Sequence, residues 1–486
     1  MTQRQDIKIT DERNFERPPV PDGVKRVFFS GIAGMGMGSL AAMFAESGFE
    51  VSGSDENIYP PMSELLNSLG IKVINGFSES NLIPAPELLV VGNACTPSHP
   101  EAKYARERGL VQLSFPEALA RYFIKDKLSI VVAGTHGKTS TTALAAHLLE
   151  TAGLDPTYLN GGIMRNTGRT FKVGKGDLFL CEGDEYDAAY FDKRPKFIHY
   201  KPRIAIITSV EYDHADIYPD IGAYEAAFRG FIRLVPKKGV VIYNKGCPRA
   251  AAIVEEKKIP SLSYGLDDRA SVTVKDARWD ESGVHFRLFL NGVKVGDFSA
   301  PVWGVHNLQN ILAVCALGIA LFLKRDIIEK ALATFQGVKR RQELLCDSKI
   351  AVVDDFAHHP TAVRETISAI RQRFPNRRLI AAFDPRSNTS RRRIFEAEYA
   401  RALAAADIAL LTEPQKIVGL APEERFSAKA VVETLAAKKI TAYSLATPNE
   451  LMEKLLSLWR DGDVVLLMSN GNFGGIIPKI ASAAER

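Results

Sequence analysis

The sequence predicts an α/β protein of three domains: a Rossmann-like N-terminal domain, a central P-loop ATPase-like domain on a parallel sheet, and a Rossmann-like C-terminal domain. Three observations carry this prediction. The chain has 486 residues with 46% hydrophobic and 24% charged content, too long for one core and suited to about three. Short apolar strand-like runs alternate with helix-like ones along most of it, as a doubly wound sheet requires. One such run, "VVAGTHGKTSTT" at 131–142, passes through a glycine loop into a helix start, the arrangement that holds a nucleotide triphosphate.

In the first hundred residues "RVFFSG", "MGSLAAMFAESG", "FEVSGSD", "SELLNSLG", "IKVING" and "ELLVVGNA" describe a βαβ array. The mixed stretch "PEAKYARERGLVQLSFPEALARYFIKDKL" then leads to the strand "SIVVAG", so the first domain is expected at 1–125 and the second at 126–341. "DLFLCEG", "IAIITSV" and "GVVIYN" continue the second series. Between 260 and 300 the short alternating segments "ASVTVKDARW", "GVHFRLFL" and "VKVGDFSA" read as an antiparallel ribbon appended to the parallel sheet. After a helix at 307–323, "FQGVKRRQELL" bridges to a third domain at 342–486, built on "IAVVDDFAHHPTAVRETISAIRQRF", "RLIAAFDP", "DIALLTEP" and "DVVLLMSNGNFGG".

Charge and cysteine usage exclude several function classes. The 62 Lys plus Arg exceed the 57 Asp plus Glu by only 5, which supports neither a nucleic-acid groove nor an anionic membrane surface. The five cysteines, Cys95, Cys181, Cys247, Cys315 and Cys346, form no CxxC pair, so neither a zinc site nor a disulfide framework is expected and a reducing cytoplasm fits. The first 22 residues are polar and proline-rich, without the apolar core of a signal peptide. The longest apolar run, "ILAVCALGIALFL" at 311–323, has 13 residues. A membrane span needs roughly 20, so the run reads as a buried helix. Nothing in the sequence indicates an oligomeric state.

In "AGTHGKTST" the backbone N–H groups of Gly134, Thr135, His136, Gly137 and Lys138 are placed to wrap phosphate oxygens. Lys138 would neutralise the terminal phosphates, the Thr139 hydroxyl would bind magnesium, and Ser140 continues the helix start. The loop departs from GxxxxGK[ST], because Val132 stands where that pattern has its first glycine. An ordinary glycine turn with an exposed lysine is the alternative. Downstream, Glu182 ends the strand in "LFLCEGDEYD", and Asp213 and His214 follow the strand in "IAIITSVEYDHADIY". A carboxylate and an imidazole converging on the phosphates would suit a second magnesium, although histidine is an unusual partner for so hard an ion. Taken alone, such acids also serve as helix caps and such a histidine as a hydrogen-bonding group. The opening "FFSGIAGMGMGSLA" sets Gly31, Gly34 and Gly36 in the order GxxGxG, and Asp55 follows the second strand. This invites a dinucleotide reading without matching GxGxxG. A diphosphate at the helix N-terminus, or tight strand–helix packing, explains the same glycines.

Together "GTHGKTST", "EGDEYD", "EYDHADIY", "HNLQN", "GVKRRQ" and "DDFAHHPTAV", in this order over nearly the whole chain, resemble the Mur ligase family, ATP-dependent enzymes that form amide bonds in bacterial peptidoglycan. The resemblance implies ATP and Mg2+ as cofactors. It implies that Lys138 and Thr139 hold phosphate and metal, that Glu182 and His214 serve the second magnesium, that His306, Asn307 and Asn310 lie by the adenine, that Arg341 at the hinge reaches the phosphates, and that Asp355 contacts the ribose. Gly31, Gly34, Gly36 and Asp55 would bind a UDP-sugar diphosphate. Where several members carry a carbamylated lysine, "YEAAFRGF" holds Phe228, which is similar to the branch acting directly on UDP-N-acetylmuramate. Members of that branch add either L-alanine or the recycled tripeptide L-Ala-γ-D-Glu-meso-diaminopimelate. "NIYPPMSELL", "YFDKRPKFIHYKPR", "HADIYPD" and "FDPRSNTSRRRIF" look like the tripeptide-adding type.

Arginine grips carboxylates in bidentate fashion, so Arg386, with Asn388 beside it in "DPRSN", is the expected peptide contact. Arg391, Arg392 and Arg393 read equally well as a solvated basic helix face. "SNGNFGGI" at 469–476 reads as part of the peptide site or as a flexible loop. His358 is a candidate to assist the incoming amine. Two readings of other classes stay open on the residues alone. A nicotinamide-dependent oxidoreductase would leave Lys138, Glu182 and His214 unexplained, and a nucleotide-sensing interaction protein would show no substrate-dependent ADP release.

Overall fold

The computed structural model describes residues 17–215, 217–414 and 420–485; residues 1–16 of the proline-rich start lie outside them. Continuous apolar runs such as Leu88–Val91, Leu128–Ala133 and Val464–Met468 are strands buried along almost their whole length, as expected where helices cover a parallel sheet on both faces.

Three large sheets organise the chain. The first is wholly parallel, in the spatial order Lys72–Asn75, Glu50–Asp55, Arg26–Ser30, Leu88–Val91, Gln112–Ser114. Its order reverses between Arg26–Ser30 and Leu88–Val91, and such a switch point opens a ligand crevice at the strand ends. The central ten-stranded sheet has a parallel core of Ser261–Tyr264, Val240–Asn244, Ile204–Ile207, Leu128–Ala133, Leu178–Gly183 and Thr157–Met164. The alternating segments form the antiparallel ribbon Val272–Asp280, Gly283–Leu290, Val293–Ala300 at one edge, where period-two patterning places it. In the third sheet Glu343–Asp347 pairs antiparallel with Ala351–Asp355, followed in parallel by Val464–Met468, Leu379–Phe383, Ile408–Thr412 and Thr441–Leu445.

Two local expectations change. The apolar run at 311–323 is only partly helix: Val305–Ala320 is helical, and Phe322, with φ 55°, leaves it and is 94% exposed. Arg391 and Arg392 precede the 3-10 turn Arg393–Phe395 and the helix Glu396–Leu403, so the basic run is a loop entering a helix rather than a helix face. Among the described residues no helix is long and apolar enough to cross a membrane.

Candidate active site

The strand Leu128–Ala133 ends at a loop, Gly134–Gly137, and the helix Lys138–Thr151 begins with Gly137 as its N-cap. Gly134 and Gly137 have φ of +139° and +81°, conformations that glycine alone adopts cheaply. A side chain at either would also collide, with Thr208 Oγ1 at 2.1 Å and Asn310 Oδ1 at 2.5 Å respectively. The neighbouring strand end braces the loop: Thr135 N–H donates to the Ser209 carbonyl (3.0 Å), His136 N–H to Ser209 Oγ (3.0 Å) and Thr208 Oγ1 to the His136 carbonyl (2.6 Å). The helix therefore presents its first N–H groups, including that of half-buried Ser140, at a rigid turn.

Lys138 Nζ donates to the Gly134 carbonyl at 2.6 Å and to Glu185 Oε2 at 2.9 Å. Glu185 is fully buried; its other oxygen accepts from Tyr224 at 3.0 Å and lies 3.3 Å from His214 Nε2. Burial alone would raise its pKa, but the Lys138 charge and the His214 imidazole outweigh it and hold the carboxyl down at about 2. Burial opposes the charged form of His214 too, yet the same carboxylate raises it. On the other side of the loop Thr139 Oγ1 donates to Glu182 Oε2 at 3.0 Å and receives Arg341 Nη2 at 3.2 Å. Gly161 N–H also donates to Glu182. Burial and the nearby Asp184 raise the Glu182 carboxyl, and burial lowers Arg341.

Two groups thus flank the loop: Lys138 with Glu185 and His214, and Thr139 with Glu182 and Arg341. The sequence reading paired Glu182 with His214 and missed Glu185. The motif "EGDEYD" offers four acids, and only the strand end at Gly183 decides which of them faces the imidazole.

Asn307, Asn310 and His306 open the helix Val305–Ala320. Asn310 Oδ1 accepts from Thr141 (3.2 Å) while its amide donates to Asn307 Oδ1 (3.3 Å). Half-buried His306 lies 3.0 Å from the Gln342 amide, and desolvation lowers its pKa. A cavity of about 520 Å³ opens beside them, lined by Asn307, Trp303, Phe335, Arg341 and Arg373 among others; His306 and Asn310 stand behind its wall. Asp355 is buried, accepting from Gln342 N–H (2.7 Å), Ala357 N–H (2.7 Å) and Thr366 Oγ1 (3.3 Å).

In the first layer Gly31 (φ +83°) donates to the Ser54 carbonyl at 2.9 Å. Gly34 is the N-cap of the helix Met35–Glu46, and Gly36 packs so that a Cβ would lie 3.6 Å from the Phe115 ring. Asp55 turns inward, accepting from Ala33 N–H (2.9 Å) and Asn57 N–H (3.0 Å), so its carboxylate braces the glycine loop.

The third layer reaches the phosphate loop through side chains. Thr389 Oγ1 donates to Asp213 Oδ1, next to His214. Thr361 Oγ1 donates to Glu211 Oε2 (3.0 Å), which is also 3.0 Å from His136 Nε2. Arg386 Nε donates to Asp384 (2.7 Å); Asn388, two residues on, is exposed. The loop at 469–476 is anchored, since Arg340 Nη2 donates to the carbonyls of Ser469 (2.7 Å) and Gly471 (2.6 Å). Burial pushes His358 down to about 4. Its Nδ1 lies 3.1 Å from the Phe356 carbonyl, which places the ring proton there and leaves Nε2 an acceptor.

A lysine–carboxylate–imidazole group at a glycine loop between strand and helix, met by the third layer through Thr361 and Thr389, is a site suited to nucleotide phosphates, and the family to which the chain belongs makes it that of an ATP-dependent, amide-forming ligase. The chain belongs to the Mur ligase family: the Mur ligase family catalytic domain matches residues 26–126, the Mur ligase middle domain 132–318, and the Mur ligase glutamate ligase domain 340–471. It is 35% identical to a UDP-N-acetylmuramate–L-alanyl-γ-D-glutamyl-meso-2,6-diaminoheptandioate ligase of Haemophilus influenzae, covering 94% of this chain and 98% of that one. It is 33% identical to a UDP-N-acetylmuramate–L-alanine ligase of Methylobacillus flagellatus, covering 95% and 97%. The crystal structure of a murein peptide ligase from Psychrobacter arcticus superposes with a TM-score of 0.73 at 31% identity, covering 96% of this chain and 99% of that one.

Proposed function

We propose that this Mur ligase joins L-Ala-γ-D-Glu-meso-diaminopimelate to UDP-N-acetylmuramate in peptidoglycan recycling, using ATP and Mg2+. In this reading residues 1–125 bind the UDP-sugar through the loop Gly31–Gly36, residues 126–341 bind ATP, and residues 342–486 bind the peptide. One observation supports the peptide assignment: Thr389 docks the loop that also bears Arg386 onto Asp213, beside His214, which favours Arg386 as a cationic contact for a peptide carboxylate. The Haemophilus relative is named for the tripeptide and the Methylobacillus relative for L-alanine at nearly equal identity, which makes L-alanine addition the second reading.

The chemistry follows from the side chains. A lactyl carboxylate oxygen attacks the γ-phosphorus of ATP, the bond to the ADP oxygen breaks, and an acyl phosphate forms. The amine nitrogen then attacks the acyl carbon and the C–O bond to phosphate breaks, leaving an amide. Lys138 and the helix N–H groups offset the charge that gathers on the transferring phosphoryl group. Arg341, between Thr139 and the 520 Å³ cavity, orients a nucleotide seated there. Thr139 with Glu182 on one side of the loop, and Glu185 with His214 on the other, offer the oxygen donors that suit a hard cation; bound at either, Mg2+ would neutralise phosphate oxygens. His358, neutral at pH 7 and with Nε2 open as an acceptor, is suited to orienting the amine.

The test is phosphate release by the purified protein with ATP, Mg2+ and UDP-N-acetylmuramate, comparing L-alanine with the tripeptide and confirming product mass. Tripeptide-dependent release with the matching product supports the proposal. Release with L-alanine alone refutes the tripeptide assignment and leaves the ligase chemistry standing.

A further inference from the structure

The basic run at 391–393 conceals one arginine unlike the rest. Partly buried arginines of this chain usually commit the edge formed by Nε and Nη2. Arg378 gives both to Asp463 (2.9 and 2.6 Å) and Arg377 both to main-chain carbonyls, of Gly462 (2.7 Å) and Asp463 (2.8 Å). Arg386 gives Nε to Asp384 (2.7 Å) and Arg340 gives Nε to Asp354 (3.1 Å). Arg391 Nε is buried and has no hydrogen-bond partner, the one guanidinium nitrogen so placed among the described residues. A buried donor on a charged group is costly to leave unsatisfied, and this edge is the one that receives a carboxylate as two parallel hydrogen bonds.

Among the described residues the surroundings lack the counter-charge. Asp384 is the acid that faces this pair, and its oxygens are engaged by Arg386, Ser469 Oγ (3.3 Å) and Thr412 Oγ1 (2.7 Å). Two guanidinium groups therefore stand against one carboxylate, and the cluster is one negative charge short. Burial and the Arg386 charge both lower the Arg391 pKa, as expected for a cation awaiting an anion. The main chain holds the group in place: Arg391 N–H donates to the Ser387 carbonyl (3.2 Å), and its own carbonyl accepts from Phe426 N–H (2.9 Å). Two residues earlier Thr389 is docked on Asp213, so the edge lies on the same pinned loop that meets the phosphate site.

We infer that Arg391 is a specificity-determining residue, whose Nε–Nη2 edge grips a carboxylate of the incoming peptide beyond its first amino acid. The inference rests on the tripeptide reading above. L-Alanine brings a single carboxylate, for which Arg386 suffices, whereas the tripeptide brings three and gives a second cationic edge something to hold.

The experiment uses full-length wild type, Arg391→Ala and Arg391→Lys, with steady-state constants for ATP, UDP-N-acetylmuramate, L-alanine, L-Ala-γ-D-Glu and the tripeptide, alongside thermal melts. A charge-assisted pair predicts that Arg391→Ala raises the tripeptide KM about 10- to 100-fold while the KM values for ATP and UDP-N-acetylmuramate stay within about twofold. Arg391→Lys should recover part of the loss, since it keeps the charge but not the fork. Should Arg391→Ala not fold, a KM rise confined to the longer peptides in Arg391→Lys supports the inference. An unchanged tripeptide KM, or an equal rise for every substrate, overturns it. Wild-type turnover with L-alanine and none with the tripeptide overturns the functional reading itself, a result distinct from a silent Arg391 variant in an enzyme that uses the tripeptide.

Discussion

Replacing Lys138 with Met separates what the phosphate loop does for stability from what it does for turnover. Lys138 and Glu185 are 2.9 Å apart, with 13% and 0% of their side chains exposed. The Glu185 carboxyl is held at about 2 against an ordinary 4.5, which corresponds to about 3 kcal/mol of stability at neutral pH. The Lys138 charge is the largest single influence that lowers it, followed by the His214 hydrogen bond. A lowered carboxylate stabilises the fold fully above its unfolded value and loses that contribution as pH falls through the folded one. The window here runs from 4.5 down to about 2. Lys138→Met should therefore cost about 2–3 kcal/mol at pH 7, a deficit that shrinks below pH 4.5 as the wild type loses the same term. Adding Glu185→Gln removes the stranded charge and should restore stability to within about 1 kcal/mol of wild type, without restoring phosphate release. Urea midpoints and phosphate release read the two effects separately. A Lys138→Met protein with a wild-type midpoint, or a double variant with near-normal turnover, would refute the reasoning.

Arg341→Ala removes the guanidinium between Thr139 and the nucleotide-sized cavity, so the ATP KM should rise about tenfold while that for UDP-N-acetylmuramate holds, as steady-state kinetics will show. Glu185 raises the His214 imidazole above its ordinary 6.5; the stability this contributes is present below 6.5 and lost as pH rises through the raised value, so the stability gap between wild type and His214→Gln should close from pH 6.5 upward in thermal melts. Asp192, with a side chain 6% exposed, holds Arg194 at 2.7 Å and His199 at 2.8 Å. Asp192→Asn should cost about 1–3 kcal/mol, measured by urea denaturation at pH 7.

Much of this architecture is legible because its signals are local. A run such as "LIAAF" or "VVLLM" has no polar face to offer water, so it must lie inside a parallel sheet, and a glycine loop between such a strand and a helix has few uses besides an anion. The ribbon at 272–300 announces itself by period-two alternation. Other features depend on tertiary geometry that no window of sequence contains. Whether Glu182 or Glu185 meets His214 turns on where the strand Leu178–Gly183 ends and on the φ of 54° that aims the histidine. That Asp55, set beside the glycines of the UDP-sugar loop by the sequence, also braces that loop through Ala33 N–H shows only in the fold. Phe322 belongs to an apolar run by composition and to the surface by position. Arg391, one of three consecutive arginines, differs from its neighbours only in what its Nε fails to meet.

The two joints between layers differ in kind. A single apolar cluster runs from Phe29, Leu40 and Phe44 of the first layer into Val131, Phe197 and Phe231 of the central one; each such side chain contributes roughly 1.5–3 kcal/mol when buried. The third layer has separate apolar clusters on the two faces of its sheet. It meets the centre through exchangeable polar contacts: Thr361 on Glu211 at 3.0 Å, Thr389 on Asp213, Gly304 N–H on Gln372 at 3.1 Å, and Arg373 over the Trp303 ring at 4.2 Å. Such contacts net about 1 kcal/mol each because water replaces them, so relative motion is expected at this joint and not at the first. In the proposed reaction the sugar and ATP layers form a fixed pair, and the layer bearing Arg386 and Arg391 completes the site. Glu211 touches both His136 of the phosphate loop and Thr361. Glu211 therefore ties the phosphate loop to the docked peptide layer, and in the proposed reaction closure of that layer would keep water from the acyl phosphate.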